Sequence, residues 1–320
     1  MLPEKKISII ICCYNEAENL PVVIEAIHEN MRPTAYPYEI IAVNDGSKDD
    51  SQIILENLCS NDKSLYYVQL SRNFGHQNAL KAGFDHASGD CLISMDADMQ
   101  HPPCVLPELI SKWEEGYNIV YTRRKEDSSL KKIKRKTSKW FYKFLNAVAD
   151  ITLEDGVADF RLMDRQSANI ICNIKGGDLF IRGIVRWMGF RQYALDYAPA
   201  KRLSGETKYT FKKMKDLAIS GILSFSTKPL HISLYLGIGI AMLSLMFIPY
   251  ALISLFAGKV MAGWVSLILT IALFGGLQLF ILGIIGLYIG KIFSHTKKFP
   301  PYIVQCSNLK IYESQNIIKF

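Results

Sequence analysis

The sequence predicts an α/β fold, a mostly parallel sheet wound with helices, followed by a C-terminal two-helix hairpin in a membrane. Three observations lead there. Short apolar β-rich runs alternate with helical stretches over roughly the first hundred residues, the pattern of a βαβ array. Acids and an aromatic recur where those runs end, at Tyr14/Glu16, Asp45 and Asp96/Asp98. And from 232 to 290 only Lys259 has a side chain charged at neutral pH.

Each element follows from its residues. Ile7-Ser-Ile-Ile-Ile-Cys-Cys13 is a short, almost wholly apolar run, as in a strand buried on both faces. A helix is expected over 19–30. Glu39-Ile-Ile-Ala-Val-Asn44 is the second strand, with Asp45-Gly-Ser47 as its exit turn. Helix 49–59, strand 65–70, loop Ser71-Arg-Asn-Phe-Gly75 and helix 77–87 come next. Cys91 to Met95 forms a fourth strand bounded by Gly89 and Asp96, and Pro102-Pro103 starts a helix near Val105. No G-x-G-x-x-G or G-x-x-x-x-G-K-[ST] turn is present, which excludes the usual dinucleotide fingerprint and the P-loop.

The chain has 320 residues, 49% of them hydrophobic and 21% charged, enough for a packed core and about two domains. Its formal charge of +7 suits an anionic partner. The seven cysteines have no CxxC or zinc-like spacing and read as buried thiols of a reducing compartment. No signal peptide is expected, because Met1 to Lys6 is charged and the apolar run after it belongs to a strand.

Asp96 and Asp98 stand one residue apart at a strand's carboxyl end, where open α/β sheets bind ligands. Two such carboxylates can share a hard divalent cation that takes its other ligands from substrate phosphates. Gln100 would add a neutral oxygen. The bland readings are a turn for Asp96, Asp98 and Asp45, packing for Tyr14 and a helix-start acid for Glu16. Their shared placement favours a nucleotide-diphosphate pocket.

Six motifs, in order, then carry a resemblance: Tyr14-Asn-Glu16, Asn44-Asp-Gly-Ser47, Arg72-Asn-Phe-Gly75, Asp96-Ala-Asp-Met-Gln100, Gly156-Val-Ala-Asp-Phe-Arg-Leu162 and Arg202-Leu-Ser-Gly-Glu-Thr-Lys208. Together they resemble glycosyltransferase family 2 over about 7–295. The nearest subgroup is the polyprenyl-phosphate glycosyltransferases, which include bactoprenol (undecaprenyl-phosphate) glucosyltransferase and dolichyl-phosphate mannosyltransferase. Departures are mild. Cys12-Cys13 replaces Pro-Thr or Pro-Val, Asn44 an Asp, His101 an acidic or small polar residue, and Thr207 a Ser. None removes a presumed metal or phosphate ligand.

The resemblance implies a GT-A-type nucleotide-sugar-binding domain. Cys12, Tyr14, Glu16, Val43 and Asp45 would line the nucleoside. Met95, Asp96 and Ala97 would flank the diphosphate. Asp96, Asp98 and Gln100 would hold Mg2+ or Mn2+. Arg123, Arg202 and Lys208 would reach phosphates. Asp159, expected in a turn between Gly156 and Phe160, would lie by the acceptor phosphate or the metal, with Asp98 and Arg202 as catalytic partners. A strong base is unnecessary, since a phosphomonoester is mostly dianionic at pH 7. Asp159 would then orient cations, for which Arg161, Arg182, Arg186, Arg202 and Lys208 are the candidates.

The remaining stretches suit a membrane. Residues 125–150 mix eight lysines and arginines with Trp140, Phe141 and Phe144, and read as a surface leaning on anionic lipid, with a solvated helix as the plain alternative. Nucleic acid is not expected, for no recognition module accompanies the charge. Residues 209–226 suit an interface helix, although a soluble core helix would look similar. Residues 232–256 and 263–290 are long enough to span a bilayer. Pro249 would kink the first, and Gly275-Gly276, Gly283, Gly286 and Gly290 permit close packing. Lys228, Lys291, Lys297 and Lys298 flank the outer ends and place them in the cytoplasm. The expected layout is a catalytic domain at 1–208, an interface region at 209–230, spans within 231–291 and a cytoplasmic tail at 292–320, about which the residues say little.

The expected protein is an inverting, metal-dependent enzyme of the cytoplasmic membrane. It would move a hexose, with UDP-glucose as the leading donor, to undecaprenyl phosphate. GDP-mannose with a polyprenyl phosphate is the alternative. A homo-oligomer and a flippase for the glycolipid are compatible partners. A processive polysaccharide synthase is disfavoured by the missing Gln before Arg186-Trp187. A non-catalytic nucleotide-sugar or lipid-binding scaffold is disfavoured by the intact Asp96/Asp98 pair.

Overall fold

The computed structural model describes residues 5–124, 156–176, 179–198, 226–256, 263–297 and 299–309. Arg202, Lys208, the basic stretch 125–150, the interface stretch 209–225 and the turn at Lys259 lie outside the described residues.

Every residue of the first strand, β1 (Ile7–Cys13), is buried. Its side chains alternate between two apolar layers, Ile9 and Ile11 on one face and Ile10 and Cys12 on the other. A continuous apolar run is therefore required, because helices cover both faces. One layer holds α1 (Leu20–Met31) and α4 (Leu106–Glu114) through Leu20, Val23, Ile27 and Leu109. The other holds α3 (His76–His86), α5 (Arg165–Asn173) and α6 (Ile181–Trp187) through Leu80, Phe84, Ile171 and Ile184. Helix α2 (Ser51–Asn61) joins β2 (Tyr38–Asn44) to β3 (Leu65–Leu70).

The remaining strands are β4 (Cys91–Asp96), β5 (Ile119–Arg124), β6 (Val157–Asp164), β7 (Gln192–Tyr197) and β8 (Val304–Ser307). They form one eight-stranded sheet in the order β7-β5-β6-β4-β1-β2-β3-β8. Strands β3, β2, β1 and β4 are parallel neighbours, as are β5 and β7, while β6 runs antiparallel between β4 and β5. This is the mostly parallel sheet that the sequence pattern predicts. Register brings the motif ends together: Cys12 pairs with both Val43 and Asp96, and Cys13 with Asn44.

Two expectations are corrected here. Asp159 lies inside strand β6 rather than in a turn, and Gly156, just before the strand, is the turn residue. Arg161 hid that strand, since a buried arginine breaks the apolar pattern. Residues after 292 do not form a simple tail. The second long helix runs on to Thr296, and Val304–Ser307 then pairs antiparallel with β3. Four residues with no alternation carry too little pattern to read as a strand.

Helices α7 (Lys228–Phe256) and α8 (Trp264–Thr296) cover the two apolar stretches; α7 starts four residues before 232, and α8 runs six residues past 290. Among the described residues, Leu273–Ser294 is long and apolar enough to cross a membrane, and none of its best window is buried. Leu273, Leu279 and Phe280 are exposed on it. The Tyr288 hydroxyl donates to the Ser226 carbonyl at 2.7 Å, tying α8 to the start of α7.

Candidate active site

The site is built where β1, β2 and β4 end. Asn15 and Met99, in the loops after β1 and β4, have positive φ (54° and 62°), a conformation that side chains other than glycine adopt at a cost. Hydrogen bonds hold the loop after β1 to the loop after β2: Asn15 N–H donates to Ser47 Oγ, and Lys48 N–H to Asn15 Oδ1. Tyr14 and Glu16 stay half-buried at this edge, Glu16 accepting from the Asn19 amide at 2.6 Å.

Asn44 is fully buried, accepts the Ser47 N–H and donates to Gln52. An aspartate there would bury a charge and could not donate to Gln52. Asp45 is 4% exposed, and its two oxygens accept the N–H groups of Phe74 and Gly75 at 2.7 and 3.0 Å. Burial pushes this carboxyl up, and the two N–H donors offset only part of it. Its carboxylate thus holds the Arg72–Gly75 loop in place. Gly46 (φ 66°) packs so close that a Cβ would fall on the backbone of Arg72 and Asn73. The Arg72 guanidinium lies over the Phe74 ring, 4.2 Å from its centre.

Val43 and Met95 have essentially no exposed surface, and Ala97 and Cys12 are buried too. Cys12 and Val43 belong to the apolar layer that holds α3, Met95 and Ala97 to the layer that holds α1 and α4. Burial raises the Cys12 thiol well above its ordinary value, so it stays neutral. The Asp96 side chain is 31% exposed. Asp98 is buried and accepts the Gln100 N–H at 3.1 Å. His101 stands behind the pair. Its Nδ1 accepts the Asp96 N–H at 3.0 Å, and its ring stacks on Phe160. Burial lowers its basicity, so it serves as a neutral acceptor.

Across from Asp96 lies a cluster around Asp159. Its Oδ1 accepts from Arg161 at 2.5 Å and from Arg182 Nε at 3.1 Å, and its Oδ2 from a second Arg182 nitrogen at 2.8 Å. Gln77 reaches Oδ2 at 3.4 Å and accepts the Ile181 N–H, so it joins α3 to α6. His76 sits between the acids, its Nε2 3.5 Å from Asp96 and 3.6 Å from Asp159. Burial works against the His76 cation, yet the charges of Asp96 and Asp159 outweigh it and push the imidazole up to about 9. Burial alone would raise Asp159, but Arg182, His76 and Arg161 hold it well below the carboxylate range.

The structure therefore brings Asp96, Asp98, Gln100 and Asp159 to one crevice, together with Arg161 and Arg182. Arg123 is placed differently: it makes two hydrogen bonds to Asp196, at 2.7 and 3.1 Å. Arg186 is exposed on the next turn of α6. His76 and Gln77 were missed. The signal available was their position just after the Arg72–Gly75 motif, at the carboxyl end of β3.

Among the described residues no group of three or more acids, histidines or cysteines is arranged to hold a metal. Asp96, Asp98 and Gln100 offer only hard oxygens, and too few for a closed site. That donor set fits a hard cation that arrives with phosphate oxygens.

The glycosyl transferase family 2 model matches residues 8–171, more than half the chain. The chain belongs to glycosyl transferase family 2. Relatives align over nearly their whole length. An uncharacterized glycosyltransferase, YkcC, of Bacillus subtilis is 41% identical over 97% of this chain and 98% of its own. A prophage bactoprenol glucosyl transferase homolog of Escherichia coli is 37% identical over 94% and 98%. The SfII prophage-derived bactoprenol glucosyl transferase of Shigella flexneri is 38% identical over 95% and 98%. A mannosyltransferase of Pyrobaculum calidifontis solved with GDP-Man and Mn2+ matches at TM-score 0.46 and 16% identity, over 73% of this chain and 65% of that one. That likeness is too distant to assign chemistry. The transferase thus carries the family's motif acids at the carboxyl edge of its sheet, opposite a cation cluster.

Proposed function

We propose that this transferase moves glucose from UDP-glucose to undecaprenyl phosphate, with inversion, at the cytoplasmic face of a membrane. The observation that carries the reading is that His76 bridges Asp96, beside Asp98, to Asp159, which gathers Arg161 and Arg182. Two anions must meet there, a nucleotide diphosphate and a lipid phosphate, and fixed cations offset their repulsion. The sugar and lipid rest on relatives named as bactoprenol glucosyl transferases.

In this reading Tyr14 and Glu16 receive the nucleoside beside the buried strand ends of Cys12 and Val43, and Met95 and Ala97 back the diphosphate. Asp45 acts through the Arg72–Gly75 loop. Asp96, Asp98 and Gln100 would hold Mg2+ or Mn2+, which when bound would neutralise charge on the departing diphosphate. A phosphate oxygen of the acceptor attacks the anomeric carbon, and the bond to the diphosphate breaks with its electron pair. Arg182, partly exposed and held by Asp159, meets the acceptor phosphate. Asp159 aligns cations and takes no proton. Arg123 has its partner in Asp196, so the phosphate roles fall to Arg202 and Lys208, with Arg202 catalytic beside Asp159 and Asp98.

The catalytic unit is residues 1–208, with 209–230 at the interface and 231–291 spanning twice. Parity supports the two spans. Strands β7 and β8 share one sheet, so the chain leaves and returns on the same side. If α8 crosses a membrane, a second crossing is required, and α7 has the length for it. Oligomerisation and hand-over to a flippase fit this placement.

The test is a panel of nucleotide sugars with undecaprenyl phosphate and full-length protein, read by glycolipid mass. Hexosyl product from UDP-glucose that disappears with EDTA is expected. Product from GDP-mannose alone would replace the sugar assignment, and nucleotide binding without any product would leave a scaffold.

A further inference from the structure

The two strands at the outer edges of the sheet are the two that connect to the membrane helices. β7 precedes α7, β8 follows α8, and they lie at opposite ends of the strand order. Their directions matter. β7 is parallel to β5 and pairs Tyr197 with Arg124, so it ends at the sheet edge where Asp96 stands. β8 is antiparallel to β3 and pairs its first residue, Val304, with Leu70. Chain arriving from α8 therefore also enters at that edge. Both connections open on the catalytic side, and the site lies between them.

The return segment is firmly fixed. Ser71 N–H donates to the Ile303 carbonyl at 2.9 Å. Tyr67 N–H donates to Asn308 Oδ1 at 2.7 Å, and Ser307 Oγ to the Tyr67 carbonyl at 2.9 Å. Leu309 is buried in the apolar layer that holds α3. The Tyr302 hydroxyl donates to Asp85 at 2.7 Å, and Asp85 pairs with the buried Lys81, which also donates to the Cys172 carbonyl. Asp85 and Lys81 belong to α3, the helix whose first residues are His76 and Gln77. Strap and site thus share one rigid helix.

Reach makes this consequential. Ile303 lies seven residue steps beyond the end of α8, a span of at most about 25 Å when fully extended. β3 lies three strand spacings from β4, about 14 Å. The inner end of α8 cannot stray far from Asp96.

We propose that β8 and Tyr302 form a positioning strap. It holds the catalytic edge against the membrane surface, so that an acceptor phosphate embedded in the bilayer meets the site at high effective concentration. This rests on reading α8 as a membrane anchor and the acceptor as a lipid phosphate.

The test uses full-length protein in anionic vesicles and two acceptors, membrane-embedded undecaprenyl phosphate and a short, water-soluble prenyl phosphate. Val304→Pro removes a backbone donor from the strap, and Tyr302→Phe removes only its hydroxyl. Expected is a rise of about tenfold or more in the KM for the embedded acceptor in Val304→Pro, and a smaller rise in Tyr302→Phe. The KM for UDP-glucose and kcat/KM for the short acceptor should stay within about twofold of wild type. If Val304→Pro fails to fold, Tyr302→Phe carries the test, with melting temperature and nucleotide binding as controls. Equal losses on both acceptors, loss on the short acceptor alone, or no loss on either would overturn the strap. Wild-type protein that transfers to neither acceptor would instead refute the function.

Discussion

Asp159 and Arg182 face each other in a two-point ion pair, with Arg182 Nε on one carboxylate oxygen and a terminal nitrogen on the other. The same Asp159 also neutralises Arg161, which is 1% exposed. An acid so placed is a poor base.

Asp159→Asn should therefore lose stability as well as turnover. Stranding the buried Arg161 costs about 3–5 kcal/mol. Denaturant unfolding of the variant checks this. An Asp159→Asn protein with wild-type stability and lost turnover alone would restore the general-base role.

Asp98→Asn should keep its fold, because Oδ1 still accepts the Gln100 N–H. Turnover should drop roughly a hundredfold or more, since the charge facing the diphosphate is gone. Near-normal steady-state rates in a well-folded variant would remove Asp98 from the metal set.

His76 gives a pH signature. Its folded value of about 9 lies above the ordinary histidine value of about 6.5. The folded state binds the proton more tightly, so this stabilisation is complete below about pH 6.5 and is lost as pH rises through about 9. Thermal melts in EDTA should show the midpoint falling across that window in the wild type. His76→Gln should flatten the fall. An unchanged slope would show that His76 does not carry it.

Gly46→Ala should destabilise by about 1–3 kcal/mol through its positive φ alone, and further through collision with the Arg72 and Asn73 backbone. The Arg72–Gly75 loop would be displaced and nucleotide affinity should fall, which titration calorimetry can read. Wild-type stability and affinity would show that the loop has room to move.

The sheet was legible because its central strands are buried on both faces and read as unbroken apolar runs, Ile7 to Cys13 above all. The motif acids were legible because a parallel array sends every strand's carboxyl end to one edge. Asp159's strand was not, because Arg161 interrupts its apolar pattern and its burial depends on a partner two residues away. His76 and Gln77 read as ordinary helix residues until α3 packs beside β4 and β6. The strand Val304–Ser307 lies more than two hundred residues from its neighbour β3. By itself the sequence determined the parallel core, the Asp96/Asp98 edge and the apolar C-terminal helices, all of which follow from local burial patterns. Only the tertiary structure decided which cations Asp159 gathers and where the chain returns after α8, because both depend on contacts between residues far apart in the chain.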